Sequence, residues 1–290
     1  VMLLKCIQVA VSIFAAVQAF FLSKDFIKKR EKGLRFKHYC VFWLTGLIIN
    51  FFDYLGIGSL APTMATYKLT KTVDDDEIPG TLVVGCVLPV AAEALVSLSI
   101  IKVELMTLLG MYGAGILGAV VGGKIAGKLP IRALRITMGT GLATAALLML
   151  MSKFGLMPLG GDAVGLSGIK LVIACIVSMV LGALLTVGIG NYAPTMCLVY
   201  MLGMSPAVSF PIMMGLGFLG VASGSFPYFQ SSRYNKQAAF AFAVAGIPGV
   251  LFAALVVKSM SLALLQWLVI AVAIYTSIMM FSQTIRKEEN

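Results

Sequence analysis

Two short polar interruptions hold the residues of this chain best suited to chemistry. One reads Gly56-Ile57-Gly58-Ser59-Leu60-Ala61-Pro62-Thr63-Met64, the other Gly188-Ile189-Gly190-Asn191-Tyr192-Ala193-Pro194-Thr195-Met196. They lie 132 residues apart and agree at seven of nine positions. Each breaks a long apolar run, and Gly and Pro are poor residues for a helix interior. A new helix starting at Pro62 or Pro194 loses nothing by proline's missing donor. The amides that follow, from Thr63, Met64, Thr195 and Met196, are expected to lack intrahelical acceptors and to carry the positive end of the helix dipole. Two such ends meeting near a membrane midplane make an anion site. Gly56, Gly58, Gly188 and Gly190 let the backbone come close to a ligand. Ser59, Thr63, Asn191, Tyr192 and Thr195 add side-chain donors. No Lys or Arg falls inside either phrase. Such a site holds a small oxyanion by amides, hydroxyls and dipoles, which favours release over very tight binding.

Two acids also sit in apolar runs, Asp53 beside the first phrase and Glu93 in the segment 81–101. Intramembrane carboxylates mark ion and proton pathways. Asp53 is the stronger candidate to carry a coupling proton or bind Na⁺. The structural alternative is an acid that hydrogen-bonds the free amides of a half-helix. Neither acid recurs at the repeat distance, where Leu185 and Ser225 stand. A single-copy acid fits coupling better than symmetric scaffolding.

These residues need elements that hold them inside a bilayer. The chain is 60% hydrophobic with a mean hydropathy of +0.99, which reads as an all-α, multi-pass membrane protein. Its uniform apolar runs lack the alternation of a membrane barrel. The segment 3–22 is long enough to span and shows no cleavage site of a signal peptide. The net charge of +10 sits in loops, where it is a topology signal and not a nucleic-acid surface. Cys6, Cys40, Cys86, Cys175 and Cys197 form no CxxC pair and read as packing residues. No metal cluster or cofactor motif is expected.

Apolar segments fall near 3–22, 39–57, 61–69, 81–101, 105–127, 131–152, 169–187, 194–203, 207–228, 238–257 and 261–282. The segments 61–69 and 194–203 are too short to span, and each follows a copy of the phrase. Two basic loops decide how the breaks lie. One carries Lys24, Lys28, Lys29, Arg30, Lys32, Arg35 and Lys37, the other Lys124, Lys128, Arg132 and Arg135. Both belong in the cytoplasm, so an even number of crossings separates them. Segments 81–101 and 105–127 already supply that pair, so 39–69 is expected to be a re-entrant hairpin. Seventeen of the 22 basic residues then lie inside; only Lys5, Lys102, Lys153, Lys170 and Lys258 lie outside.

The repeat extends beyond the phrase. Pro79 and Gly85 align with Pro211 and Gly217, and Lys128-x-x-x-x-Ala133-Leu134 with Lys258-x-x-x-x-Ala263-Leu264. Each copy is one hairpin plus three spans. Three is odd, so the second copy is inverted, as alternating access around a midplane site requires. The expected architecture is seven transmembrane helices and two broken-helix hairpins in an inverted-topology repeat. Residues 1–38 hold the first helix and its basic loop, 39–153 the first repeat, 154–168 an outer linker and 169–290 the second repeat. The N-terminus is expected outside and the C-terminus in the cytoplasm.

Enzyme classes fit poorly. Intramembrane aspartyl proteolysis needs two facing Asp residues, and only Asp53 qualifies. A rhomboid-type serine site needs Gly-x-Ser-Gly and an intramembrane His; Gly220-Val221-Ala222-Ser223-Gly224 misses that spacing and His38 ends a loop. The phrases, their prolines and the segments Phe52–Gly58 and Phe210–Gly215 together resemble the sulfite exporter TauE/SafE family, also called toluenesulfonate uptake permeases. Gly-Ile-Gly-Ser and Gly-Ile-Gly-Asn stand where that family usually has a run of glycines, so Ser59 and Asn191 narrow the site. The resemblance implies a plasma-membrane carrier of sulfite, organosulfonates or similar anions. A carrier of another small organic anion and an uncoupled channel of the same fold stay open, as does homo-oligomer formation.

Overall fold

A computed structural model of the chain describes residues 2–28, 36–122, 130–156, 160–186 and 189–285. Lys29, Arg30, Lys32, Arg35, Lys124, Lys128, Arg286 and Lys287, which weigh in the expected sidedness, lie outside these residues, as does Gly188. The described residues form eleven α-helices and no strand. They are α1 (Met2–Lys28), α2 (Phe36–Tyr54), α3 (Leu60–Thr70), α4 (Ile78–Ile100), α5 (Leu105–Leu117), α6 (Ile131–Lys153), α7 (Gly168–Leu185), α8 (Tyr192–Met201), α9 (Ser209–Ser231), α10 (Lys236–Ser259) and α11 (Leu262–Ile285). A π turn, Gly118–Gly122, continues α5.

Seven helices are long and apolar enough to cross a membrane, so this is a multi-pass membrane protein by length and composition. Their number matches the expectation, but their membership differs. Gly168–Leu185, expected as one arm of a hairpin, is among them; the shorter helix Leu105–Val121 is not. Helix α2 carries Lys37, His38, Asn50 and Asp53 and is not one of the seven.

Helix starts repeat along the chain. Phe36 and Leu60 are each 132 residues before Gly168 and Tyr192, and Ile78, Leu105 and Ile131 are each 131 before Ser209, Lys236 and Leu262. The compact units do not follow these halves. One comprises Val1–Ile100 and Phe218–Ser259, the other Ile101–Gly217 and Met260–Asn290.

In the first unit α2 and α3 fold back on each other. The Phe42 ring meets the Tyr67 ring edge-on, centroids 5.8 Å apart. Tyr39 Oη donates to Gln237 Oε1 (3.3 Å) at the start of α10. Asn235 N donates to Thr81 Oγ1 (2.8 Å) at the start of α4. The hairpin therefore begins and ends beside the start of α10. Tyr234 Oη donates to Asp25 at this end, while Gln8 Nε2 donates to Ser99 Oγ (3.0 Å) at the other. Helix α1 thus runs antiparallel to α4.

The second unit has the same plan. Lys170 Nζ donates to the Leu202 carbonyl (3.0 Å), so α7 begins where α8 ends. Leu166 N donates to Thr107 Oγ1 (2.7 Å), bringing the start of α5 to the same end.

Glycines set how closely these helices pack. A methyl on Gly118 of α5 would strike the Met179 carbonyl oxygen of α7, and one on Gly249 of α10 would strike the Leu47 carbonyl oxygen of α2. Three residues earlier, Gly115 meets Gly182 and Gly246 meets Asn50. The partners are again 131 or 132 residues apart. The same crossing is therefore built twice, with backbones close enough to exclude any side chain. Helices α6 and α11 pack antiparallel, with Ser277 Oγ donating to the Gly139 carbonyl (2.8 Å) and Lys153 Nζ to Gln266 Oε1 (2.7 Å).

Gly118→Ala and Gly249→Ala are expected to destabilise the purified protein by about 1–3 kcal/mol each, the usual range for overpacking. Gly113→Ala and Gly141→Ala, which meet nothing within 4 Å, serve as controls. Melting curves check this, and equal losses at all four positions would remove the crossing from the account.

Candidate functional site

Each break opens with a helix end that satisfies itself. At the end of α2, Ile57 N reaches the Phe52 carbonyl (3.3 Å) and Gly56 N the Asp53 carbonyl (2.8 Å). This is a Schellman turn, and Gly56 supplies its left-handed residue at φ +97°. Gly58 is also left-handed, at +89°. The end of α7 makes the equivalent bond from Ile189 N to the Leu184 carbonyl (3.1 Å).

The second side of each break differs from expectation in detail. Helix α3 starts at Leu60 with Ser59 as N-cap, and α8 at Tyr192 with Asn191 as N-cap. Pro62 and Pro194 are therefore third in their helices, not first. They still lie within the first turn, where a missing donor breaks no helical bond. The Thr63 amide donates to the Ser59 carbonyl (3.1 Å) and the Thr195 amide to the Asn191 carbonyl (3.0 Å). These two amides, expected to face the break, close the first turn instead. The donors ahead of the helical ladder are earlier ones, among them Leu60, Ala61 and Ala193.

Side chains separate the two breaks. At the first, buried Asp53 accepts hydrogen bonds from the hydroxyl and the backbone N–H of Ser59. Ser59 Oγ also lies 3.6 Å from Cys86 Sγ on α4. Thr63 Oγ1 donates to the Ser59 carbonyl (2.7 Å), so its proton serves its own helix. At the second break, Asn191 Nδ2 donates to the Met213 carbonyl of α9 (3.1 Å). The Tyr192 ring packs on Gly217, where a methyl would come within 2.8 Å of it. Thr195 is fully buried, and its hydroxyl has no hydrogen-bond partner.

Glu93 is fully buried on α4, seven residues and about two turns beyond Cys86. It acts electrostatically on Tyr54, the neighbour of Asp53, and both acids act on Cys86. The two acids thus belong to one polar cluster in the first unit. Cys86 carried no polar signal in the sequence; only its contact with Ser59 reveals it. Gly217 was legible as the repeat partner of Gly85.

A methyl on Gly58 or Gly190 would meet nothing within 4 Å, so each break has open space beside its second glycine. A groove of about 490 Å³ lies elsewhere, along α6, lined by Thr137, Thr140, Gly141 and Thr144 with Met201 of α8. It contains none of the expected site residues.

Compared with family models, with curated proteins and with solved structures, the chain matches none. The class of protein shown is accordingly a helical, multi-pass membrane protein.

Gly58→Ala is expected to cost about 1–2 kcal/mol, because a side chain resists left-handed backbone. Gly190→Ala, free of that conformation, is expected to change stability by less than about 0.5 kcal/mol. Thermal melts of the two variants check the difference. Equal stability would mean that the two second glycines share one role.

Proposed function

We propose that this protein is a secondary transporter of small anions, of the sulfite exporter type, with sulfite and organosulfonates as its substrate class. The anion binds at a half-helix start within one of the two breaks. The observation that carries this reading is the duplicated break, with polar groups buried at both tips. Cys86, the contact of Ser59, lies about 12 Å along α4, away from the helix end. In a bilayer that depth corresponds to the hydrocarbon region, where irregular backbone is tolerated only beside protein or a water-lined cavity.

Each broken segment is a re-entrant hairpin. The pairings Phe42–Tyr67 and Lys170–Leu202 support this reading, since both arms return to one end. Charge and span parity, read from the sequence, put the first hairpin in from the cytoplasm and the second from outside. They also put the N-terminus outside and the C-terminus in the cytoplasm of a plasma-membrane carrier. Asp53 couples anion movement to a proton or Na⁺, with Glu93, which also acts on Cys86, as the next candidate.

Two experiments test this. Cysteines replacing Tyr39 and Thr72 are expected to be labelled from one face of the membrane and one replacing Ala163 from the other. Labelling of the first two from opposite faces would end the hairpin reading. In proteoliposomes, Asp53→Asn is expected to bind sulfite and exchange it down a gradient, while losing uphill transport driven by pH or Na⁺. Accumulation equal to wild type under both gradients would make Asp53 structural.

A further inference from the structure

We infer that the two breaks are not equivalent sites: at the first, the Asp53 carboxyl occupies the start of the half-helix, and at the second, an external oxyanion takes that place. This rests on the anion-transport reading and narrows it to one site, at the start of α8.

The first break displays the binding mode with a ligand supplied by the chain itself. The Asp53 carboxyl takes one hydrogen bond from the N-cap amide and one from the N-cap hydroxyl of Ser59. At the second break the repeat partner of Asp53 is Leu185, which offers no acceptor. Both helices that lead into the breaks end in the same 6→1 turn, and the spacing to the N-cap is identical, Asp53 to Ser59 and Leu185 to Asn191. Helix α8 has no side-chain cap, because the Asn191 amide is turned to the Met213 carbonyl.

Thr195 is the independent sign of a ligand. It is fully buried, and its hydroxyl has no partner. Its counterpart Thr63 spends the same hydroxyl on the carbonyl one turn back. Helical Cα–Cβ bonds tilt toward the N-terminus, which sets the Thr195 side chain over the first turn of α8. A buried hydroxyl without a partner is costly and calls for an acceptor. Gly190 at the same break is exposed, with open space at its Cβ position, which gives a ligand entry. The group that fits carries two or more oxygens on one centre and a negative charge: a sulfite, a sulfonate or a carboxylate. All of these groups lie within the second compact unit.

Calorimetric titration of the purified full chain with sodium sulfite and with sodium methanesulfonate tests this. Wild type is expected to bind one anion per chain. Leu185→Asp, which supplies the second break with its own carboxylate, is expected to lose about ten-fold or more in affinity. Leu185→Asn, without the charge, is expected to stay within about three-fold, as is Asp53→Asn at the other break. Thr195→Val, which removes only the hydroxyl, is expected to lose about five-fold or more, and it decides the matter if Leu185→Asp does not fold. Wild-type affinity in Thr195→Val overturns the assignment to the second break, as does a stronger effect of Asp53→Asn than of either change there. A wild-type chain that binds neither anion overturns the transport reading itself.

Discussion

Lipid offers no hydrogen bonds, so a helix that stops inside a membrane must satisfy its own ends or be given partners. With the breaks placed in the bilayer as proposed, both follow from that constraint. The leading helices end in the same 6→1 bond, and at the first break Gly56 supplies the left-handed residue that a Schellman turn requires. The trailing helices close their first turn through Thr63 and Thr195. Proline in that turn reduces the number of amides left to satisfy. What remains is a small set of backbone donors at each tip, among them Leu60, Ala61 and Ala193. That set is weak beside an arginine, which suits the release of cargo in the proposed carrier.

The same constraint accounts for the packing that holds the hairpins. On the proposed re-entrant reading, an arm that ends inside the bilayer has no loop on the far side to anchor it. Helices α2 and α7 are instead fixed along their length by glycine crossings, on α10 and α5 respectively. Each supporting helix belongs to the other half of the sequence. The second arm of the first pair is held more lightly: α3 packs on α4 and α2, with Leu69 84% exposed. The first pair thus joins a clamped arm to a freer one, whereas α8 packs on α6, α7 and α11 with six of its ten residues buried.

Asp53 breaks the symmetry of this design. Its carboxyl caps the start of α3, which is the structural role weighed for it from sequence, and that role is compatible with coupling. In the proposed carrier, a carboxyl that caps a helix start can alter that start when it is protonated or binds a cation. The polar cluster around it, with Ser59, Cys86, Tyr54 and Glu93, lies in one compact unit.

The primary structure alone determined the membrane class, the positions of the breaks and the repeat. Each depends on composition or on local backbone preference, which a linear pattern records: apolar runs make membrane helices, and Gly and Pro end them. Helix starts recur at offsets of 131 and 132, as the duplicated phrase implied. Tertiary structure decided what those patterns could not carry. It exchanged helices between the sequence halves, so that Gly118 meets Met179 and Gly249 meets Leu47. It moved the helix starts two residues ahead of Pro62 and Pro194 and used up the Thr63 and Thr195 amides. It also bonded Thr63's hydroxyl while leaving Thr195's without a partner. The two threonines have the same sequence context. Only the packing of each hairpin tip against its own neighbours distinguishes them, and sequence spacing holds no record of that.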